Sequence, residues 1–169
     1  AVLGTVLLPG AAFVELALAA GTRLGYSRLA DLVLHQPLVL DADPARARVV
    51  QIVVGPADES GRLPVAVHSR PQDAEDRTWV QHASGALEAA PDDLSDLIAD
   101  AGDWPPPGST PLSVADAYNT LAGRGYDYGP TFQGLIAAWR SGPDVFAEVR
   151  LPQELPAASG FGVHPALLD

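Results

Sequence analysis

The segment AAFVELALAA (residues 11–20) is rich in Ala and carries one charged side chain, Glu15. Pro9-Gly10 precedes it, as is typical of a helix start, and Gly21 is expected to end the helix at its C′ position. A helix that is apolar on every other face is normally buried on all sides. For a chain of this size the expected cover is a curved β-sheet, with residues 1–8 (AVLGTVLL) as a short buried strand.

Strands are predicted after this helix wherever the sequence is rich in Val and Leu or alternates in polarity. These segments are 29–40, 46–54, 63–69 and 78–90. Polar turn segments at 55–61 and 70–76 separate the later strands, and short connections favour antiparallel neighbours. Residues 1–90 therefore predict an α+β unit, in which an antiparallel meander surrounds one buried helix.

The composition changes at Pro91, because residues 91–113 carry five Pro and five Asp. We interpret this segment as a linker, with a helical turn at 94–101. The sequence then predicts the elements of a second unit that resembles the first. These are a short amphipathic helix at 114–123, strands at 135–140 and 145–151, and a helix that begins within 163–169. The predicted domains are thus 1–90, the linker 91–113, and 114–169 as the beginning of a second unit.

Composition excludes several classes of protein. The 169 residues are 47% hydrophobic and 18% charged, so the chain has the material for a core and is not a disordered protein. The net charge of −11 argues against nucleic acid as a partner, since phosphate binding needs clustered cations. The absence of Cys excludes disulfides, a thiolate nucleophile and a Cys-based zinc site. We expect no membrane span, because Pro9-Gly10 and Glu15 interrupt the apolar N-terminal segment.

Motifs with recognised chemistry are few. The sequence contains no HExxH, GxGxxG, P-loop or GxSxG pattern, and His35, His68 and His82 are expected to be ordinary strand or surface residues. Asp169 follows the apolar residues 166–168, and a carboxyl group in apolar surroundings has a raised pKa and can act as a general acid. From this pattern alone, a capping or surface Asp is the favoured interpretation.

Three segments, in order, resemble the dehydratase domain of modular type I polyketide synthases. Gly4 and Pro9 match the Gly and Pro of the HxxxGxxxxP motif of that family. Residues 125–134 (GYDYGPTFQG) are similar to its GYxYGPxFQG motif, and residues 164–169 (HPALLD) are similar to the segment that carries its catalytic Asp. The motif His would fall one residue before Ala1. We therefore expect a segment that runs from just after the catalytic His to the catalytic Asp and is inactive alone.

The resemblance implies a double hotdog, in which each hotdog is an antiparallel sheet around one central helix. It also implies a β-hydroxyacyl thioester substrate, held on the phosphopantetheine arm of an acyl carrier protein, and no intrinsic cofactor or metal. The family His would remove the α-proton, and protonated Asp169 would assist departure of the β-hydroxyl as water. The substrate-binding residues carried over from the motifs are Tyr128, Gly129, Pro130, Gly4, Pro9 and Gly10.

The resemblance further implies an acyl carrier protein and neighbouring synthase domains as partners, a homodimeric parent synthase and a cytoplasmic location. Two alternatives stay open. One is a related double-hotdog enzyme that moves a double bond or closes a pyran ring with the same His and Asp. The other is a non-catalytic remnant that serves as a scaffold or docking surface, and a residue other than His before Ala1 would favour it.

Overall fold

The computed structural model describes residues 1–72, 78–89, 103–153 and 160–169. The helices and strands are, in chain order, α1 (Gly10–Thr22), β1 (Arg28–Leu34), β2 (Arg48–Val54), β3 (Leu63–Pro71), β4 (Val80–Glu88), β5 (Thr110–Leu112), α2 (Ala117–Ala122), β6 (Leu135–Ser141), β7 (Asp144–Val149) and α3 (Pro165–Leu168). Short 3₁₀ turns lie at Pro44–Arg46 and Pro130–Phe132. Among the helices of these ranges, none has the length and apolar character that a membrane crossing requires.

The first sheet has four strands in the order β1-β4-β3-β2, and every neighbouring pair is antiparallel. The predicted meander is correct for β2, β3 and β4. It is wrong for β1, which pairs with β4 because the long segment 35–47 carries the chain from one edge of the sheet to the other. The predicted strand 29–40 also ends early, at Leu34, since Pro37 has no N–H to donate to a strand ladder.

The predicted helix at 11–20 is confirmed as α1, which packs across one face of this sheet. Its buried side chains join two apolar clusters. The first contains Phe13, Leu38, Val67 and Ala83, and the second contains Ala17, Leu63, Val65 and Leu87. Full burial of a large apolar side chain stabilises a fold by about 1.5–3 kcal/mol, so these clusters hold the helix against the sheet.

Gly21 does not end α1 as predicted. The helix continues to Thr22, and Arg23 after it still has a helical φ of −65°. A Cβ added at Gly21 would lie 2.4 Å from the Tyr26 carbonyl oxygen and 2.9 Å from Leu87 Cδ2. The glycine is therefore required by close packing rather than by a left-handed backbone.

The strand predicted at residues 1–8 is not formed. Val2 and Thr5 bridge each other across a tight turn, in which Leu3 and Gly4 have positive φ angles of 48° and 79°. Further along, Leu7 forms one isolated bridge with Val39. Because a left-handed Gly bends the segment so early, its apolar residues reach separate partners instead of one ladder.

The second sheet has three strands in the order β5-β6-β7. The two strands predicted at 135–140 and 145–151 are confirmed as the β6–β7 hairpin, which turns at Gly142 with a φ of +58°. Strand β5 was not predicted and falls within the predicted linker, where Pro111 is tolerated because β5 is an edge strand. The helical turn predicted at 94–101 lies outside the described residues.

Candidate active site

An open cleft of about 870 Å³ lies where the start of α1, the loop after β1 and the loop at 126–129 meet. Most of its lining side chains are apolar, among them Val6, Leu7, Leu8, Phe13, Leu34, Pro37 and Phe132. The cleft brings together five of the sequence-predicted site residues, which are Pro9, Gly10, Tyr128, Gly129 and Asp169. Residues from both ends of the chain thus share one cavity.

Two predicted site residues do not line this cleft. Gly4 lies on the tight turn of the N-terminal segment, and a Cβ added there would meet no atom within 4 Å. Pro130 opens the 3₁₀ turn that follows Gly129, where its fixed φ suits the first position. Both residues shape the backbone on either side of the cleft.

The loop that carries Tyr128 is held by the N-terminal segment. The Leu3 N–H donates to the Gly125 carbonyl at 2.7 Å, and the Asp127 N–H donates to the Ala1 carbonyl at 2.7 Å. Gly125 has a φ of +88°, and a Cβ there would lie 2.4 Å from Leu3 Cδ2. The left-handed backbone therefore favours Gly as the first residue of GYDYGP, whereas the exposed Leu3 side chain could move away from a Cβ.

Tyr128 is held in this loop from several sides. Its carbonyl accepts the Gln133 side-chain amide at 2.7 Å, and its ring lies 5.8 Å from that of Tyr118, centroid to centroid. Burial raises the pKa of the Tyr128 hydroxyl, and the neighbouring charge of Asp169 raises it further. The hydroxyl therefore stays protonated and remains a hydrogen-bond donor in the cleft.

Asp169 follows the short helix α3, in agreement with the predicted helix start within 163–169. His164 caps that helix, because its Nδ1 accepts the Ala166 N–H at 3.1 Å, and Pro165 occupies the first helical position. Burial raises the pKa of the Asp169 carboxyl, while a hydrogen bond with the Tyr128 hydroxyl opposes the rise. The carboxyl group thus holds its proton to a higher pH than an ordinary Asp does.

Sequence reasoning missed a buried polar chain behind the cleft wall. His82 is 3% exposed, and its Nδ1 donates to the Gln36 carbonyl at 3.0 Å, since a carbonyl can only accept. Its Nε2 then accepts from the Ser69 hydroxyl at 2.6 Å, and Ser69 accepts from Arg48 Nε at 2.8 Å. These hydrogen bonds hold the His82 ring with Nδ1 toward Gln36 and so anchor the Gln36 segment, which lines the cleft.

Other cleft residues were also missed. Phe13 and Phe132 were assigned to no site, and His35 was expected to be an ordinary histidine. His35 follows β1 and contacts the Ser84 hydroxyl at 2.7 Å. No local pattern marks these residues, because their place in the cleft depends on how distant segments meet.

The helix α1 across an antiparallel sheet, with a cleft at the start of that helix, defines an α+β hotdog domain. Residues 1–70 match a family model described as "Polyketide synthase dehydratase domain". Residues 98–169 match a second one described as "Polyketide synthase dehydratase N-terminal domain". The chain belongs to the family of polyketide synthase dehydratase domains, and the resemblance inferred from its motifs is confirmed.

Individual relatives agree with this family. Over its whole length the chain is 52% identical to polyketide synthase GfsB of Streptomyces halstedii, of which it spans 3%. A solved structure on dehydratase substrate selection for the borrelidin and fluvirucin polyketide synthases is 44% identical, with a TM-score of 0.84. A bifunctional dehydratase-cyclase domain in ambruticin biosynthesis is 45% identical, with a TM-score of 0.82. Both structural matches cover 99% of this chain. They cover 58% of the first solved chain and 56% of the second.

Proposed function

We propose that the domain containing this chain removes water from a β-hydroxyacyl thioester on an acyl carrier protein and yields the α,β-enoyl thioester. The single observation that carries the proposal is the position of Asp169, which lines a largely apolar cleft with its carboxyl hydrogen-bonded to the Tyr128 hydroxyl. A protonated carboxyl in such surroundings is suited to assist a poor leaving group. Membership in the dehydratase family supports the same reaction.

The proposed elimination moves two protons. A base removes the α-proton, the electron pair of that C–H bond forms the new C=C bond, and the C–O bond to the β-hydroxyl breaks. Asp169 donates its proton to the departing oxygen, so that water leaves rather than hydroxide. The base in this proposal is the His of the family motif, four residues before Gly4. Residues 1–169 alone are therefore expected to show no turnover.

The start of α1 has a second role in the proposal. The first N–H groups of a helix have no acceptor within it, and they carry the positive end of its dipole. At Gly10, which lines the cleft after Pro9, such groups would stabilise negative charge on the thioester oxygen as the α-proton leaves. Tyr128 and Gly129 would contact the acyl chain, while Pro130 and Gly4 would shape the loops beside it.

The test is a mass measurement on the intact domain, with the residues that flank 1–169 present. Incubation with a β-hydroxyacyl carrier protein is expected to lower the acyl mass by one water. The matching β-ketoacyl carrier protein has no hydroxyl to lose, and its mass should not change. An unchanged β-hydroxyacyl mass would contradict the proposal and would favour the non-catalytic remnant. Turnover by residues 1–169 alone would contradict the assignment of the base.

Ring closure is a second candidate, favoured by the 45% identity to the solved dehydratase-cyclase domain. A substrate with a second hydroxyl, placed to attack the enoyl β-carbon, separates the two outcomes. Dehydration alone leaves a conjugated enoyl thioester, whereas cyclisation consumes its double bond. Chromatography of the released acyl group, together with its ultraviolet absorbance, distinguishes these products, and it also detects double-bond migration.

Removal of the Tyr128 hydroxyl is expected to shift the alkaline limb of the pH–rate profile upward. Because Asp169 acts as an acid here, activity falls as pH rises through its raised pKa. The hydrogen bond with Tyr128 lowers that pKa, so Tyr128→Phe should let Asp169 stay protonated to higher pH. The readout is kcat against pH. Tyr126→Phe, at a neighbouring cleft tyrosine, should leave the limb in place, and a downward shift in Tyr128→Phe would contradict the assignment of Asp169 as the acid.

The wider setting is proposed from the family alone. The substrate would arrive on the phosphopantetheine arm of an acyl carrier protein, and the chemistry needs no intrinsic cofactor. Neighbouring synthase domains would flank the domain, within a homodimeric parent synthase in the cytoplasm. Co-purification of the intact domain with its carrier protein tests the first of these contacts.

A further inference from the structure

Glu15 is a buried carboxylate that the proposed reaction does not use. The residue is 8% exposed and lies in α1, whose other residues are uncharged. Its Oε1 accepts the Gly162 N–H and its Oε2 accepts the Val163 N–H, each at 3.0 Å. Both carboxylate oxygens thus bind consecutive backbone amides that lie far away along the chain.

The two amides are specific partners for this charge. Burial of a carboxylate is costly unless charge-assisted hydrogen bonds replace its water. Within residues 1–72, 78–89, 103–153 and 160–169, no ion pair involves Glu15, so the amides of Gly162 and Val163 carry this compensation. An apolar residue would fill the same space in α1, so the carboxylate is explained by what it binds.

The held segment leads directly to Asp169. Val163 precedes His164, whose ring accepts the Ala166 N–H and so begins α3. One turn later, the Asp169 N–H donates to the Pro165 carbonyl at 3.0 Å. The bond between the Val163 amide and Glu15 therefore fixes the start of α3. The position of Asp169 at the end of α3 is fixed with it.

We propose that Glu15 is a positioning residue for the reaction, which holds Gly162 and Val163 so that the Asp169 carboxyl lies within the cleft. This inference rests on the proposed function, in which Asp169 is the acid. The helix that carries Glu15 also supplies Gly10 to the cleft lining, so one rigid element positions both the start of α1 and the segment with the acid. A rigid support of this kind keeps a reacting group within the narrow range that catalysis needs.

The test replaces Glu15 by Gln in the intact domain and measures kcat and KM with a β-hydroxyacyl carrier protein. Gln offers one oxygen and one NH₂ group, so one of the two amide N–H groups then faces another donor. Misplacement of the acid should lower kcat by about 10- to 100-fold. KM should not change, because the cleft residues that contact the acyl chain are untouched.

Ala17→Gly is the matched control. Ala17 is fully buried on the same helix, but it packs with Leu63 and Leu87, whereas the hydrogen bonds to Gly162 and Val163 come from Glu15. The Ala17→Gly substitution should lower the melting temperature and leave the kcat of the folded protein unchanged. If folded Glu15→Gln also keeps the wild-type kcat, Glu15 supports stability alone and the proposal is overturned.

Hydrogen exchange gives a readout that does not depend on turnover. In the intact domain without substrate, Glu15→Gln should speed amide exchange in the peptide at 160–169 and leave the β3 peptide unchanged. Unaltered exchange at 160–169 would overturn the proposal whatever the activity. A third outcome separates the two proposals: the wild-type domain is inactive, yet Glu15→Gln speeds exchange at 160–169 only. That outcome would overturn the proposed function but would confirm that Glu15 holds this segment.

Discussion

Replacement of Asp169 by Asn in the intact domain is expected to lower kcat for dehydration by about 10²- to 10⁴-fold. Asn matches Asp in shape but has no proton to give to the departing hydroxyl. The fold should persist, because the backbone N–H at this position still reaches the Pro165 carbonyl. The loss should therefore appear in kcat rather than in the amount of folded protein.

Stability gives an independent check on the same substitution. Burial raises the pKa of Asp169 above its ordinary 3.8, so the folded protein holds this proton more tightly than the unfolded chain. The stability contributed by the protonated form is complete below pH 3.8 and is lost as pH rises through the raised value. Above the raised pKa, Asp169→Asn removes a charge that burial disfavours, and the melting temperature of the variant should then equal or exceed that of the wild type.

Asp127→Asn is the matched control for this experiment. Asp127 also lines the cleft, and it stands at the position that the GYxYGPxFQG motif leaves open. Its contact with Ala1 uses the backbone N–H, which the substitution keeps. Wild-type turnover in Asp169→Asn, or an equal loss in both variants, would contradict the assignment of Asp169 as the acid.

His82→Leu is expected to lower the free energy of unfolding by about 2–4 kcal/mol. The leucine leaves the Gln36 carbonyl without its donor and the Ser69 hydroxyl without its acceptor, in a region where Ser69 is fully buried. Burial of unpaired polar groups is the physical cause of the loss. Chemical denaturation, followed by circular dichroism, measures the change.

The control for this prediction is His35→Leu. His35 contacts the Ser84 hydroxyl at 2.7 Å, so the same pair of residue types meets here in exposed surroundings. Water replaces the lost partner at an exposed site, and the change should stay within about 0.5 kcal/mol. Equal losses in the two variants would show that burial of the His82 chain contributes nothing to stability.

Local sequence was sufficient for the class of fold and for several elements. The apolar, Ala-rich pattern of α1 predicted a buried helix, and the Gly142 turn between two largely apolar segments predicted the β6–β7 hairpin. Helix period, turn chemistry and hydrophobic alternation all act between residues a few positions apart, and such signals are legible in one sequence. Motifs added the family, because Gly4 with Pro9, GYDYGPTFQG and HPALLD follow one another in the order of that family.

Contacts between distant segments decided the rest. Strand β1 joined β4 because a long segment allowed the crossing, and residues 1–8 formed a turn because Gly4 adopts a left-handed backbone. The approach of Tyr128 to Asp169 depends on packing that brings separate loops to one cleft. The bond from Glu15 to Gly162 spans almost the whole chain. No short-range pattern encodes such long-range contacts. Their stabilising free energy comes from burial and hydrogen bonds that exist only after the chain has folded.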